Sequence, residues 1–267
     1  KNESEEQFSD RLASELENLI LKEGPETVAA FFAEPVMGAG GVIIPPKSYF
    51  PKVQKVLEKY DILLVADEVI CGFGRTGNMW GSETFNIRPD IVTAAKALSS
   101  AYLPISAVII SEKVYGPIKD QANELGIFGH GYTYSAHPVC AAVAMKAQQI
   151  MIDRNIIANV KQLSKLFNER IQNIKNNSWF LSHSRSVGLI GAVEFGYEGN
   201  KKFDIKNKIA AKCAKIIQEN GVILRALPGD IIGFCPPLII KEEQINEMFD
   251  KIDIAFKNFD EMAFNLK

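Results

Sequence analysis

Two short segments of this chain each deliver one charged side chain at the end of an uncharged, largely apolar run. Asp67 follows the run over residues 62–66, and Lys96 follows the run over residues 91–95. Such runs, when turn residues bound them, are typical of strands buried on both faces. Aspartate and lysine are almost never fully buried without a partner, and α/β sheets bind their ligands at strand ends. We therefore expect both side chains at a ligand site on one edge of a sheet.

An amine and a carboxylate at such an edge indicate a particular kind of chemistry. An amine can form a Schiff base with an aldehyde, and a carboxylate can pair with a pyridinium nitrogen so that the ring acts as an electron sink. Pyridoxal phosphate needs both, so the pair predicts a site for this cofactor. The small residues Ser99, Ser100 and Ala101 after Lys96 leave room for a flat ring. From the residues alone, a surface lysine and a helix-capping or turn aspartate remain open alternatives.

Composition limits the other classes of function. The 267 residues can form one large domain or two ordinary ones, and 47% of them are hydrophobic, which is enough for a sizeable core. The net charge of -2 gives no general attraction to nucleic acid or to an anionic membrane. The four cysteines lack the spacing of metal ligands, so we expect no metal site and interpret them as buried thiols of a cytoplasmic protein. They are Cys71, Cys140, Cys213 and Cys235.

Apolar periodicity in the first half predicts strands alternating with helices, typical of an α/β fold with a mainly parallel sheet. The helices are expected at residues 5–22 and 46–60, and the strands at 28–36, 62–66, 91–94 and 105–111.

In the second half the pattern changes to long helices and short strands separated by Gly and Pro, which predicts a small α+β domain. The helices are expected at 139–151, 155–175, 205–220 and 241–264, and the strands at 188–196, 222–226 and 231–240. We therefore predict two domains, residues 1–150 and 151–267.

Five segments, in this order, resemble the motifs of class III aminotransferases, which are fold type I pyridoxal-phosphate enzymes. They are residues 33–42, the Asp67 segment, the Lys96 segment, residues 129–138, and Arg225 ahead of residues 235–238. The resemblance covers nearly the whole chain and implies the C-terminal part of the family chain. Residues 1–150 would then be part of the large cofactor-binding domain, and residues 151–267 the small C-terminal domain.

The resemblance also implies a role for each candidate residue. Lys96 holds the cofactor as a Schiff base and moves the proton, and Asp67 pairs with the ring nitrogen. Val69, which by period two would share the strand face of Asp67, packs against the ring. Thr133 reaches the cofactor phosphate of a neighbouring subunit, which implies a homodimer with shared active sites. Arg225, expected at the end of a strand over residues 222–224, grips the substrate carboxylate.

Two departures from the family's other branches bear on the substrates. The ornithine and 4-aminobutyrate branches carry an acidic residue at the position of Ala39 and Gln at the position of Ile70, and this chain has neither. The chain therefore resembles the branch that moves amino groups from ω-amino acids or amines to a keto acid such as pyruvate. The partners expected are a small-molecule amino donor and a keto-acid acceptor.

Three other functions stay open at this point. Two are different pyridoxal-phosphate reactions on the same fold, those of an aminomutase or a decarboxylase. The third is a non-catalytic cofactor-binding or subunit-interaction protein. The presence of both Asp67 and Lys96 argues against the third.

The family's phosphate-binding loop has no match in this sequence. A dianionic phosphate is best held by backbone N–H groups at a helix N-terminus, and the family supplies them from its N-terminal part. We therefore expect that the sequence corresponds to a fragment of the family chain and that the 267 residues alone do not form a competent transaminase.

Overall fold

The computed structural model describes residues 3–198 and 201–267, which form two compact units. The first unit contains the residues up to Pro35 together with Pro45–Phe73 and Asn78–Asn155. The second unit contains Val36–Ile44, Gly74–Gly77 and Ile156–Lys267. Two short loops from the first half of the sequence thus belong to the second unit. The assignment of the units to a large and a small domain stays a prediction.

The first unit is built on a four-stranded sheet in the order β1-β2-β3-β4. Its strands are β1 (Ala30–Ala33), β2 (Leu63–Asp67), β3 (Ile91–Ala94) and β4 (Ala107–Ile110). The first three strands are parallel and β4 is antiparallel to β3. The carboxyl ends of the three parallel strands therefore lie at one edge, where β2 ends at Asp67 and Lys96 follows β3.

Among the described residues of this unit, five α-helices accompany the sheet. They are α1 (Glu5–Glu23), α2 (Tyr49–Lys59), α3 (Gly81–Thr84), α4 (Glu112–Leu125) and α5 (Pro138–Asp153). A capping box between Ser4 and Gln7 begins α1. The apolar faces of α1 and α2 join the sheet in one core, with Ile20, Phe50 and Leu64 almost fully buried. The helix α4 contains no buried residue and was not predicted from the sequence.

The second unit has an antiparallel sheet in the order β5-β6-β8-β7. Its elements in chain order are α6 (Ile156–Asn176), β5 (Leu181–Val187), β6 (Ile190–Phe195), α7 (Ile209–Glu219), β7 (Arg225–Leu227), β8 (Ile231–Phe234) and α8 (Glu242–Asn265). The sheet and the three helices share one core, rich in fully buried phenylalanines. These are Phe167, Phe180, Phe195, Phe234, Phe249 and Phe259.

Several predicted elements were wrong in extent. The strand expected over 28–36 is confined to Ala30–Ala33, and three elements of the second unit also differ. The strand expected over 231–240 ends at Phe234. Pro236 and Pro237 follow, and proline has no backbone N–H to donate to a neighbouring strand. The helix expected over 205–220 is interrupted at Lys208, whose φ of 47° is left-handed. The strand expected over 222–226 is confined to Arg225–Leu227.

The cysteine prediction was correct for two of the four thiols. Each of the four cysteines lies in the described part of the chain and none forms a disulfide there, but Cys235 is exposed and Cys140 is only partly buried. Cys71 and Cys213 are buried, and burial raises the pKa of the Cys213 thiol far above its usual range. Within residues 3–198 and 201–267, no helix is long and apolar enough to cross a membrane.

Candidate active site

Asp67 is the last residue of a buried strand and its carboxylate is held from one side. The residues before it, Val65 and Ala66, are 1% exposed, whereas Asp67 itself is half-buried. Its Oδ1 atom accepts a hydrogen bond from the Val69 backbone N–H at 3.0 Å and one from the Thr93 hydroxyl at 3.2 Å. No donor in the described part of the chain makes a hydrogen bond to Oδ2. That oxygen can therefore accept a hydrogen bond from a ligand.

Lys96 lies two residues beyond β3, at the start of the 3-10 turn Lys96–Leu98. The turn is held by Gln148 of α5, whose side-chain amide donates to the Ala97 carbonyl at 3.1 Å and to the Leu98 carbonyl at 2.8 Å. The Lys96 side chain is exposed and has no ion pair with any described residue. Its amine is therefore free for covalent chemistry, and it is not neutralised by Asp67.

A cavity of about 320 Å³ adjoins Lys96. It is lined by Lys96, Ser99, Ala101, Tyr102, Leu103, Pro104 and Ile105. Ser99 is buried, and its hydroxyl donates to the Leu103 carbonyl at 2.7 Å, which fixes the wall of the cavity.

The backbone beside this cavity is unusual. Lys96, Ser100 and Ala101 have φ values of 43°, 50° and 60°, in the left-handed region that residues other than glycine rarely adopt. Such conformations are costly and cluster at functional sites. Three left-handed residues within a stretch of six indicate a functional site at this turn, and this indication does not depend on the chemistry of the lysine side chain.

Val69 does not lie where its sequence position suggested. The strand β2 ends at Asp67, and Val69 lies in the turn that follows, so the period-two argument for its side chain was wrong. Its backbone instead contributes one of the two hydrogen bonds to Asp67. The packing of the Val69 side chain against a cofactor ring stays a prediction.

Glu68 is a site residue that sequence analysis missed. Its side chain is fully buried and accepts hydrogen bonds from the Gly81 N–H at 2.9 Å and from the Ser82 N–H at 2.6 Å. The Ser82 hydroxyl donates to the same carboxylate, and the Glu68 N–H donates to the Thr93 carbonyl at 2.9 Å. Glu68 therefore ties the turn after β2 to both β3 and α3. The available signal was a second acidic residue directly after an apolar run.

Thr133 lies in an exposed loop between α4 and α5. The loop contains a turn in which Ser135 N–H donates to the Tyr132 carbonyl at 2.9 Å and Tyr132 N–H donates to the Ser135 hydroxyl at 3.2 Å. The structure places Thr133 on the surface of the first unit and shows no hydrogen bond from it to another described residue. Its role at a phosphate stays a prediction.

Arg225 belongs to the second unit, where it begins β7 opposite Gly233 of β8. The expectation that it ends a strand over 222–224 was wrong, because the sheet pairing starts only at Arg225. Its side chain is exposed and makes no ion pair within the described residues. The guanidinium is thus available to an external carboxylate, which is compatible with its predicted role.

A second arginine of this unit serves the fold. Arg185 donates through Nε to the Val42 carbonyl at 2.9 Å and through Nη2 to the Gly41 carbonyl at 2.6 Å, and it pairs with Glu194 at 3.0 Å. Burial alone would raise the pKa of Glu194, but the hydrogen bonds from Lys202 and Arg185 outweigh burial and lower it. The arginine therefore holds the loop Val36–Ile44, which contains Ala39, against the sheet of the second unit.

The described residues contain no group of three or more His, Cys, Asp or Glu side chains that could hold a metal ion. The candidate active site of the first unit is the sheet edge that carries Asp67, Thr93 and Lys96. It combines a free amine with a carboxylate that has one unengaged oxygen.

Comparison with known sequences gives the class of protein. The profile of the class-III aminotransferase family matches residues 1–256. The chain is 48% identical over 267 residues to "Probable gamma-aminobutyrate transaminase 2, mitochondrial" of Oryza sativa subsp. indica, a match that covers 99% of this chain and 53% of the relative. It is 49% identical over 267 residues to "Gamma aminobutyrate transaminase 3, chloroplastic" of Solanum lycopersicum, covering 99% of this chain and 51% of the relative.

The solved structures that resemble this chain are also transaminases. A structure described as "Transaminase with L-ala" superposes with a TM-score of 0.92 at 48% identity, covering 96% of this chain and 61% of that one. The omega transaminase from Pseudomonas jessenii in complex with PMP superposes with a TM-score of 0.94 at 44% identity, covering 98% of this chain and 58% of that one.

The chain belongs to the class III aminotransferase family. The predicted family and its α/β, fold type I architecture are thus confirmed, and class III aminotransferases use pyridoxal phosphate. The chain spans about half the length of the curated relatives it matches.

Proposed function

We propose that this chain carries the cofactor-anchoring residues of a pyridoxal-phosphate-dependent aminotransferase. The observation that carries the proposal is the arrangement of Asp67 beside the strand that leads to Lys96. The carboxylate is fixed through Oδ1 and has Oδ2 unengaged, and the lysine is unpaired. A carboxylate and an amine that do not neutralise each other suit a ligand that needs both.

The residues present fit pyridoxal phosphate by their chemistry. The bound cofactor supplies an electron sink in its ring. The Lys96 amine would hold the cofactor covalently and move a proton at the substrate carbon. The Asp67 carboxylate, through Oδ2, would keep the ring nitrogen protonated, since an opposite charge favours the protonated form.

We extend the proposal to the substrates, an ω-amino acid or amine as donor and a keto acid such as pyruvate as acceptor. The two plant relatives are named for gamma-aminobutyrate, that is 4-aminobutyrate, so the departures at Ala39 and Ile70 do not by themselves exclude this ω-amino acid as the donor. One structural relative is described with L-alanine, the aminated form of pyruvate. Arg225 would bind a carboxylate of the acceptor, because guanidinium and carboxylate can form two parallel hydrogen bonds. Ala39 supplies no acidic group that could neutralise this arginine.

We also propose that the active protein is at least a homodimer, with Thr133 reaching the phosphate bound by the neighbouring subunit. Large aromatic side chains left exposed on the first unit support a contact with another protein surface. Tyr132, Tyr134 and Tyr102 are 77%, 83% and 79% exposed. The cytoplasmic location stays a prediction, and the two plant relatives are named as mitochondrial and chloroplastic.

An amino-transfer assay tests the proposed function. The chain is assayed alone, mixed with the part of the rice relative that it leaves unmatched, and joined to that part in one polypeptide. We expect pyruvate and gamma-aminobutyrate to yield L-alanine in at least one of the two supplemented proteins. Lys96→Ala should abolish the product, whereas Lys119→Ala, a change at an exposed lysine of α4, should not.

The same assay distinguishes the alternatives. Decarboxylated or isomerised product without L-alanine would indicate a decarboxylase or an aminomutase. Cofactor binding with no product from any donor would indicate a non-catalytic binding protein. Either result would contradict amino transfer.

A further inference from the structure

The Asp67 carboxylate receives a hydrogen bond from a second strand. Asp67 lies directly opposite Thr93 in the parallel pairing of β2 with β3, so the two side chains share a face of the sheet. The Thr93 hydroxyl lies 3.2 Å from Oδ1, the same oxygen that accepts the Val69 N–H. Two donors from different elements thus converge on one carboxylate oxygen.

A backbone hydrogen bond also fixes the two strands next to this contact. The Glu68 N–H donates to the Thr93 carbonyl at 2.9 Å, so the register of β2 and β3 is fixed one residue beyond Asp67. Threonine is β-branched and its side-chain torsion is stiff, so its hydroxyl has little freedom to leave Asp67. Thr93 is therefore well placed to orient the carboxylate.

We propose that Thr93 is a positioning residue that acts through Asp67 and turns Oδ2 of the carboxylate toward the protonated ring nitrogen of the cofactor. This inference rests on the proposed function and deepens it. Without the Thr93 hydroxyl, Oδ1 keeps only the Val69 N–H, and the carboxylate can rotate about its terminal bond, which has no strong staggered preference.

The position of Thr93 in the chain adds a second argument. It lies three residues before Lys96, so β3 carries the hydroxyl and leads directly to the amine. The ring nitrogen and the aldehyde carbon of pyridoxal phosphate are at opposite positions of its ring. The single strand β3 would then orient Asp67 toward the ring nitrogen through Thr93 and supply Lys96 for the aldehyde carbon.

The test compares two matched pairs of proteins that differ at the hydroxyl. Thr93→Val keeps the β-branched shape of the wild-type residue, and Thr93→Ala lacks only the hydroxyl of Thr93→Ser. If the valine variant does not fold, the Ala and Ser variants still isolate the hydroxyl. The fold of each variant is checked by its urea unfolding midpoint.

The 267-residue chain and these variants are titrated with pyridoxal phosphate and with its 1-deaza analogue, in which C–H replaces the ring nitrogen. The analogue keeps the aldehyde for Lys96 but cannot engage Asp67. The wild-type chain should prefer pyridoxal phosphate. Loss of the hydroxyl should weaken pyridoxal phosphate binding about five- to tenfold, because one hydrogen bond to a charged group is affected indirectly. Binding of the analogue should change less than about twofold, within the range of small effects.

Each result bears on one claim. A wild-type chain that fails to prefer pyridoxal phosphate would contradict the proposed role of Asp67 and with it the proposed function. If the wild-type chain shows the preference and Thr93→Val and Thr93→Ala show it equally strongly, the role of Thr93 is refuted. Equal weakening of both ligands would assign Thr93 to the fold and refute the inference as well.

Discussion

The buried carboxylate of Glu68 should be worth a large part of the stability of the first unit. Glu68→Gln keeps the shape but replaces one oxygen with an NH₂ group. Its remaining oxygen can still accept from Ser82, whereas the NH₂ group would face the Gly81 N–H, now 2.9 Å from Oε2. Losing one hydrogen bond to a charged group and leaving a buried donor unsatisfied should together cost about 3 kcal/mol.

Tryptophan fluorescence during urea unfolding measures this cost. The chain has two tryptophans, and Trp80 lies 4.9 Å from Phe73 in the turn that Glu68 holds, whereas Trp179 lies in the second unit. A Trp179→Phe background therefore makes Trp80 the reporter. With a denaturant slope of about 2 kcal/mol/M, Glu68→Gln should lower the midpoint by about 1.5 M.

Glu83→Gln is the matched control for this experiment. Glu83 is exposed and accepts the Trp80 N–H at 3.1 Å, a bond that a glutamine oxygen can also accept. The control should change stability by less than about 0.5 kcal/mol. If Glu68→Gln unfolds at the same urea concentration as this control, the buried carboxylate does not hold the turn and our reasoning is refuted.

Three further predictions concern the second unit and the thiols. Arg225→Ala should raise the KM for pyruvate about tenfold or more in the amino-transfer assay, with uncharged amine donors little affected, and equal losses for both would assign Arg225 to the fold. The pKa of Glu194 is lowered in the folded protein. The ionised carboxylate should therefore contribute fully to the free energy of unfolding above its ordinary pKa, and this contribution should be lost as the pH falls through the lowered pKa. The stability difference between wild type and Glu194→Gln, from urea unfolding, should therefore shrink below about pH 4, and a constant difference would contradict it. A thiol reagent followed by mass spectrometry should label Cys235 first and Cys213 only on unfolding, and the reverse order would contradict the burial of Cys213.

The main elements of the site were predictable because their signals are local. The apolar runs before Asp67 and Lys96 correspond to β2 and β3, and the apolar periodicity after residue 241 corresponds to α8. A strand buried on both faces needs a continuous apolar run, so its end can be located in the sequence. The motif resemblance then supplied the family.

The unpredicted features depend on contacts between distant segments. The strand β5 has a polar sequence and only one of its seven residues is buried, so it becomes a strand by pairing with β6. The contact of Thr93 with Asp67 depends on the register between two strands, which no local pattern encodes. Glu68 could be seen only as an acidic residue beside Asp67, because its partners Gly81 and Ser82 follow 13 and 14 residues later.

Trapping of the cofactor tests the central claim most directly. The chain is incubated with pyridoxal phosphate, reduced with borohydride, digested and mapped by mass spectrometry. Our account predicts a pyridoxyl group on Lys96 and its disappearance in Lys96→Ala. A label on another lysine, or the same labelling in the Lys96→Ala variant, would contradict the assignment of the cofactor to this sheet edge.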